Sequence, residues 1–146
     1  MYPYVQFVHS YWAYLVLLML IVTTINGLVS FFGDKEYGAR DMRMALFTLI
    51  VTHIQLLIGI ILYFVSPLGA QAIASEGMSA AMSNPDLRLY VVEHPIGMIL
   101  MVVFVTVGYS KHKSKLTSKL KFKQIAIFYT LALIVALAMI PWANWF

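Results

Sequence analysis

Residues 5–32 read VQFVHSYWAYLVLLMLIVTTINGLVSFF and contain no charged side chain. A helix of about 20 apolar residues spans the hydrocarbon core of a bilayer, so this stretch predicts a first membrane-spanning helix. It is too long for a signal peptide and lacks the basic segment that would precede one, so we expect the helix to be retained. Its apolar residues are continuous rather than alternating, which favours a helix over a strand of a membrane β-barrel.

Three more apolar stretches follow, and the composition of the whole chain agrees with a membrane protein. Of its 146 residues, 62% are hydrophobic and 11% are charged, whereas a soluble domain carries roughly 25% charged residues. This composition excludes a soluble enzyme, a nucleic-acid-binding module and a disordered chain, and the lack of cysteine excludes zinc–thiolate and iron–sulfur sites. We therefore predict an all-α, integral membrane four-helix bundle that forms one domain over residues 1–146, with approximate helices at 5–32, 44–66, 85–111 and 124–142.

The basic residues are concentrated in two of the three predicted loops. Loop 33–43 carries three basic residues and loop 111–123 carries six lysines, whereas the opposite side of the membrane has only Arg88. The positive-inside rule therefore predicts that both loops are cytoplasmic and that both termini lie on the outer, periplasmic side. The lysines are expected to contact anionic lipid headgroups, and with Phe122 as the one aromatic residue among them they do not indicate nucleic-acid binding.

The third helix has a recognisable start and an internal proline. Asn84, Pro85 and Asp86 are typical of a cap, a first helical position and an acidic first turn. Pro95 then falls inside the helix, where we expect it to kink the helix and to free a backbone carbonyl one turn earlier. The preceding loop, 66–83, is rich in small residues and predicts a short surface helix.

Ionisable side chains inside a membrane are costly, so each one is a functional hypothesis. His9 and His94 fall at similar depth on the outer side, on different helices, and two neutral imidazoles in that relation are what a six-coordinate haem iron needs. Arg88 lies where the haem propionates would emerge, and Gly97, one turn below His94, would let a flat macrocycle approach the backbone. These residues predict a site for haem b with His9 and His94 as the iron ligands.

His53 lies deeper, near the middle of the second helix, and several roles remain open for it. It is the alternative haem ligand if that helix is shifted outward, but no histidine on the inner side could pair with it around a second haem. It could also relay protons, contact a quinone, or be a buried histidine bonded to a carbonyl or to Gln55. The same helix carries one small, polar stripe, which comprises Thr48, Thr52, Gln55 and Gly59. His53 points to a different face from Gln55. We therefore predict that this helix is the most enclosed of the four or contacts another subunit.

Other polar and sulfur-containing residues offer weaker alternatives. One face of the third helix could bind Cu(I), although packing explains its methionines better; it carries Tyr90, His94, Met98 and Met101. Glu93 could orient a histidine, carry protons or reach the surface, and His112 is expected to be a solvated loop residue. No nucleophile, base and orienting group form a catalytic set, so the chain is at most a redox carrier.

Several stretches resemble a known family. They are 9–11, 45–47, 53–59, 61–67, 92–94 with Arg88, 128–133 and 140–142, and they cover nearly the whole chain. Together they resemble a family of small four-helix bacterial inner-membrane proteins commonly labelled cytochrome b-like. The resemblance implies a multi-pass protein of the bacterial inner membrane with His9, His53 and His94 as candidate ligands. Family members often have an arginine shortly after the opening His-Ser, where Tyr14 stands here, so a second cation for haem propionates is missing.

Three hypotheses about function follow. The first is a b-type haem protein that transfers electrons, which it could exchange with quinone. The second is a cofactor-free accessory subunit of a larger respiratory or secretion complex, in contact with other membrane subunits or with a second copy. The third is a metal or proton transporter or chaperone. A haem spectrum, co-purifying partners and bound copper would distinguish the three.

Overall fold

The computed structural model describes residues 1–145, and their regular secondary structure is helical throughout. Eight α-helices are present in this part of the chain, and a π-helical turn, Leu89–Glu93, joins the fifth to the sixth. The helices are α1 (Tyr2–Phe32), α2 (Ala39–Val65), α3 (Ala70–Glu76), α4 (Met78–Ser83), α5 (Pro85–Arg88), α6 (His94–Ser114), α7 (Ser118–Met139) and α8 (Trp142–Trp145).

Four helical segments are long and apolar enough to cross a membrane: Tyr2–Phe32, Ala39–Glu76, Pro85–Ser114 and Ser118–Met139. This confirms the predicted all-α class and the prediction of four helices that are long and apolar enough to span a membrane. Large apolar side chains such as Ile25, Leu57 and Ile134 are exposed on the outside of the bundle. In water such a surface would be unfavourable, whereas lipid tails cover it without cost.

The four long helices pack so that α1 and α6 lie at opposite corners. α1 contacts α2 and α7, and α6 contacts α7 and α2. The core between them is filled by buried side chains from every long helix, among them Leu20, Val51, Val105 and Tyr129. Any residues of α1 and α6 that meet must therefore do so across the centre of the bundle.

Side-chain hydrogen bonds connect the helices inside this core. Thr23 and Thr48 share a hydrogen bond of 2.7 Å between α1 and α2. The Tyr129 hydroxyl donates to the Ala45 carbonyl at 2.9 Å, and the Trp12 indole donates to the Val51 carbonyl at 2.9 Å. A polar group removed from water needs such a partner, so these bonds fix which faces meet.

The predicted polar stripe of α2 faces the interior. Thr48 and Thr52 are fully buried and Gln55 is 7% exposed. Each threonine hydroxyl donates to a carbonyl of its own helix, Thr48 to Met44 and Thr52 to Thr48, both at 2.9 Å. The stripe therefore lies within the bundle. The helix as a whole is not the most enclosed of the four, because its most apolar window is 28% buried and those of the other three are 33% buried.

Helix boundaries differ from the predicted ones mainly at N-termini. α2 begins at Ala39 and α7 at Ser118, five and six residues before the predicted starts at 44 and 124. Both early turns are capped: Asp41 accepts from the Gly38 amide at 2.9 Å, and Thr117 accepts from the Leu120 amide at 3.2 Å. The predicted boundaries followed the apolar residues, whereas capped helices extend into polar sequence.

The segment before the third long helix contains two short helices, α3 and α4, separated by Gly77 at a φ of 87°. Glycine adopts this positive φ without steric cost, so the chain turns there. Asn84 then caps α5, because its side-chain oxygen accepts from the Asp86 amide at 3.1 Å. The predicted helix start at Asn84-Pro85-Asp86 is confirmed.

Pro95 frees a backbone carbonyl, as predicted, and Tyr63 binds it. Proline has no N–H, so Pro95 cannot donate to Val91, four residues earlier. The Tyr63 hydroxyl of α2 donates to the Val91 carbonyl at 2.9 Å. The π-helical turn Leu89–Glu93 lies directly before His94 and includes this carbonyl. Tyr63 thus links the turn that directly precedes His94 to α2.

We predict that Tyr63→Phe destabilises the fold by roughly 1–3 kcal/mol, because the Val91 carbonyl loses its side-chain donor. Thermal unfolding in a mild detergent, followed by tryptophan fluorescence, measures the loss.

The matched control is the same change in a Pro95→Ala background. Alanine supplies an N–H four residues after Val91, so Tyr63→Phe should cost clearly less there. An equal cost in both backgrounds would contradict this role for Tyr63.

Candidate functional site

A cavity of about 360 Å³ opens at the end of the bundle where the two termini lie. Its walls come from α1, α2, α6 and the segment that follows α7, and they are mainly apolar. The polar side chains that line it include Gln6, His9, Gln55, Tyr90 and His94. An apolar cavity with a few convergent polar groups is the usual form of a ligand or cofactor site.

The two predicted haem ligands meet in this cavity. The ring centroids of His9 and His94 are 6.1 Å apart, and the ring planes are 82° apart. His9 comes from α1 and His94 from the start of α6, so the pair bridges opposite corners of the bundle. The structure therefore places both residues at one site.

The end of α7 fixes the orientation of His94. The last carbonyls of a helix have no partner within it, and the Met139 carbonyl is one of these. His94 Nδ1 lies 2.9 Å from this oxygen. A carbonyl only accepts hydrogen bonds, so Nδ1 carries the proton and Nε2 presents its lone pair. Metal-binding histidines generally show this arrangement.

His9 is positioned by two residues of α2. The Gln55 amide nitrogen donates to the His9 carbonyl at 2.8 Å. One turn further, a side chain at Gly59 would bring its Cβ within 3.2 Å of His9 Cε1. Glycine therefore leaves the space in which the imidazole lies. His9 Nδ1 is buried and has no hydrogen-bond partner among the described residues.

The separation of the two imidazoles fits a shared metal centre. An imidazole nitrogen binds a metal at about 2.0–2.1 Å, so two imidazoles on opposite sides of one ion have centroids about 6 Å apart. The proton-bearing Nδ1 of His94, which leaves Nε2 free, is also the pattern expected of a ligand. The donor set of this cavity therefore fits a haem with two axial histidines.

Arg88 and Gly97 are not at this site. Arg88 donates to Glu93 at 2.8 Å and to the Met82 carbonyl at 3.1 Å, so its guanidinium is held within its own segment. Glu93, which forms this ion pair, reaches the surface, and this is one of the three roles predicted for it. A side chain at Gly97 would come within 2.5 Å of Met139 Cγ. Gly97 thus allows close packing of α6 on α7, and the predicted contact with a macrocycle is replaced by Met139.

His53 lies away from the cavity and has its own partners. Its Nδ1 donates to the Leu49 carbonyl at 2.7 Å, and its Nε2 lies 3.4 Å from the Thr106 hydroxyl. The structure therefore favours the prediction of a histidine bonded to a carbonyl over that of an alternative ligand.

The face of the third helix that was considered for Cu(I) binding lines the cavity. All four of its residues are among the lining side chains: Tyr90, His94, Met98 and Met101. In the part of the chain that the structure describes, no group of three or more His, Asp or Glu residues could hold a metal ion. The methionines are in contact with the apolar core, as the packing interpretation expects.

His112 differs most from its prediction. It was expected to be solvated, but it lies within α6 and is 0% exposed. Its Nδ1 donates to the Tyr109 carbonyl at 2.6 Å, so its Nε2 accepts from the Tyr37 hydroxyl at 2.8 Å. Burial, helped by the Asp41 carboxylate and Tyr109, raises the pKa of Tyr37 to about 12, so this hydroxyl stays protonated near neutral pH. The α1–α2 loop covers His112, which the local sequence did not reveal.

We predict that Tyr37→Phe destabilises the protein by roughly 1–3 kcal/mol, because His112 Nε2 is left buried without a donor. Thermal unfolding in detergent measures the effect. Tyr109→Phe is the matched control, since the Tyr109 hydroxyl has only a long contact of 3.8 Å with Met42 sulfur. Equal losses in the two variants would contradict the importance of the Tyr37–His112 bond.

Comparisons of this chain with protein-family models, with curated proteins and with solved structures found no match. Its class rests on the fold and the site alone: four helices apolar enough to cross a membrane, with a histidine pair in a cavity at one end.

Proposed function

We propose that this protein binds one haem b in the membrane and transfers electrons, with His9 and His94 as the axial ligands. The observation that carries the proposal is the meeting of these two imidazoles, 6.1 Å apart, across the centre of the bundle in an apolar cavity. A bound haem supplies one-electron redox chemistry that the side chains of the protein lack.

The residues around the histidines have distinct tasks in this proposal. The Met139 carbonyl holds the His94 ring and raises its basicity as a ligand. Gly59 leaves room for the His9 ring. Leu17, Met101 and Val102 line the cavity and keep water away, and low polarity around a haem is one of the factors that set its reduction potential.

The propionates of the haem need a different partner from the one that the sequence predicted. Arg88 is paired with Glu93, and no lysine or arginine among the described residues lines the cavity. Neutral polar side chains lie at its terminal end, among them Gln6, Ser10 and Asn144. In this proposal they bind the propionates together with water at the membrane surface.

The basic loops support an orientation for the proposed site. Lys119 of α7 donates to Asp34 at 2.8 Å, and Ser118 accepts from the Tyr37 amide at 2.9 Å, so the two basic loops meet at one end of the bundle. The cavity lies at the other end, with the termini. With the basic end in the cytoplasm, the haem of a bacterial inner-membrane protein would lie near the periplasmic surface. Quinone in the bilayer could then exchange electrons with it.

We predict about one haem per chain in protein purified from cells with an adequate haem supply. His9→Ala or His94→Ala should each abolish the sharp α-band of the six-coordinate haem, because one axial ligand is lost. His53→Ala is the matched control and should keep the band, since His53 lies outside the cavity. Dithionite-reduced minus air-oxidised spectra and a pyridine haemochrome assay give the result.

Two outcomes would contradict the proposal. The first is an unchanged α-band in both ligand variants. The second is wild-type protein without a Soret band, which would favour the cofactor-free accessory subunit. In that case other membrane subunits should co-purify with the protein in mild detergent.

A further inference from the structure

Two buried polar atoms without a hydrogen-bond partner in the described part of the chain lie where α1 meets α2. One is His9 Nδ1 and the other is Gln55 Oε1. The Gln55 side chain is 7% exposed and lines the cavity. Buried polar groups in proteins are almost always paired. The Thr24 and Thr130 hydroxyls are unpaired as well, so what distinguishes His9 Nδ1 and Gln55 Oε1 is that both residues line the cavity that contains His94.

The position of the Gln55 amide is fixed by its other hydrogen bond. Its Nε2 donates to the His9 carbonyl at 2.8 Å, and because a carbonyl only accepts, the amide nitrogen and oxygen are assigned without ambiguity. Oε1 is therefore the free end of the group, and it can only accept. The His9 ring lies against Gly59, one turn after Gln55 on the same face of α2.

The two atoms are complementary in the His9 tautomer that carries its proton on Nδ1, with or without a bound metal. A neutral imidazole that binds a metal through Nε2 carries its proton on Nδ1, which then becomes a donor. Gln55 Oε1 is the matching acceptor. A bridging water that accepts from Nδ1–H and donates to Oε1 would pair both atoms while the amide keeps its bond to the His9 carbonyl.

We propose that Gln55 is the positioning residue for His9. Its Oε1 accepts the hydrogen bond from Nδ1–H, directly or through a water, which holds the imidazole in one tautomer and directs Nε2 towards His94. On the other side of the site, the Met139 carbonyl accepts from His94 Nδ1 and fixes the tautomer of that ring. This inference rests on the proposed haem function, and it adds the residue that sets the electronic character of one ligand.

An acceptor on Nδ1–H makes the imidazole a stronger donor to iron, which favours the oxidised state. Gln55→Leu removes the acceptor, so we expect the midpoint potential of the haem to shift upward and the affinity for haem to fall roughly 10–100-fold. Gln55→Glu should stay close to wild type. Its protonated carboxyl can donate to the His9 carbonyl and accept from Nδ1, as the amide does.

The matched control is Thr52→Val. Thr52 is fully buried on the same helix, but its hydroxyl bonds only to the Thr48 and Leu49 carbonyls of α2. Potentiometric titration and the rate of haem transfer to an apoprotein acceptor compare the four proteins. The inference is overturned if Gln55→Leu and Thr52→Val have the same potential and the same haem transfer rate. Haem binding by the wild type would still stand in that case.

A second measurement does not depend on haem. The ¹⁵N NMR shifts of histidine side chains show which ring nitrogen carries the proton. We expect His9 of the haem-free wild type to be protonated at Nδ1 and to lose this preference in Gln55→Leu, or in Gln55→Met if the leucine variant does not fold. The same tautomer mixture in wild type and variant would overturn this inference. Wild-type protein that binds no haem would instead overturn the proposed function.

Discussion

Backbone carbonyls inside the bundle are the partners of most polar side chains that the membrane segments carry. A membrane interior offers no water, so a side-chain donor there needs an acceptor within the protein. Trp12 donates to Val51, Tyr129 to Ala45 and Tyr63 to Val91. Each bond crosses from one helix to another, so each fixes a rotation and a depth. The same requirement positions the candidate site, because His94 donates to Met139 and Gln55 donates to His9.

Among the described residues this pairing is incomplete at the candidate site and at the buried hydroxyls of Thr24 and Thr130. His9 Nδ1 and Gln55 Oε1 are buried in the described structure without partners. Both lie on the wall of a cavity that also contains His94. Elsewhere histidines are paired: His53 bonds to Leu49, and His112 to Tyr109 and Tyr37. His94 is also paired, through Nδ1 with Met139, so among the described residues His9 is the histidine with a buried ring nitrogen that has no partner.

Sequence reasoning found the features that depend on position along a helix. Four apolar stretches predicted four spanning helices, Pro95 predicted a freed carbonyl, and depth alone predicted that His9 and His94 could meet. It failed where the rotation of a side chain or the path of a loop decides. The local sequence did not show that the α1–α2 loop covers His112. For the same reason two predicted site residues lie outside the cavity: Arg88 pairs with Glu93, and Gly97 packs against Met139. Gln55 was predicted to be part of a polar stripe and a possible partner of a histidine, but its bond to His9 was missed because it joins two helices.

The central claim is that His9 and His94 bind the same iron atom. Electron paramagnetic resonance and near-infrared magnetic circular dichroism of the oxidised, haem-loaded protein test it most directly, since both report the axial ligands. The account predicts a low-spin iron with two imidazole ligands, converted to high-spin iron when either histidine is replaced by alanine. A high-spin spectrum in the wild type, or a histidine–methionine ligand pair that persists in His9→Ala, would contradict it.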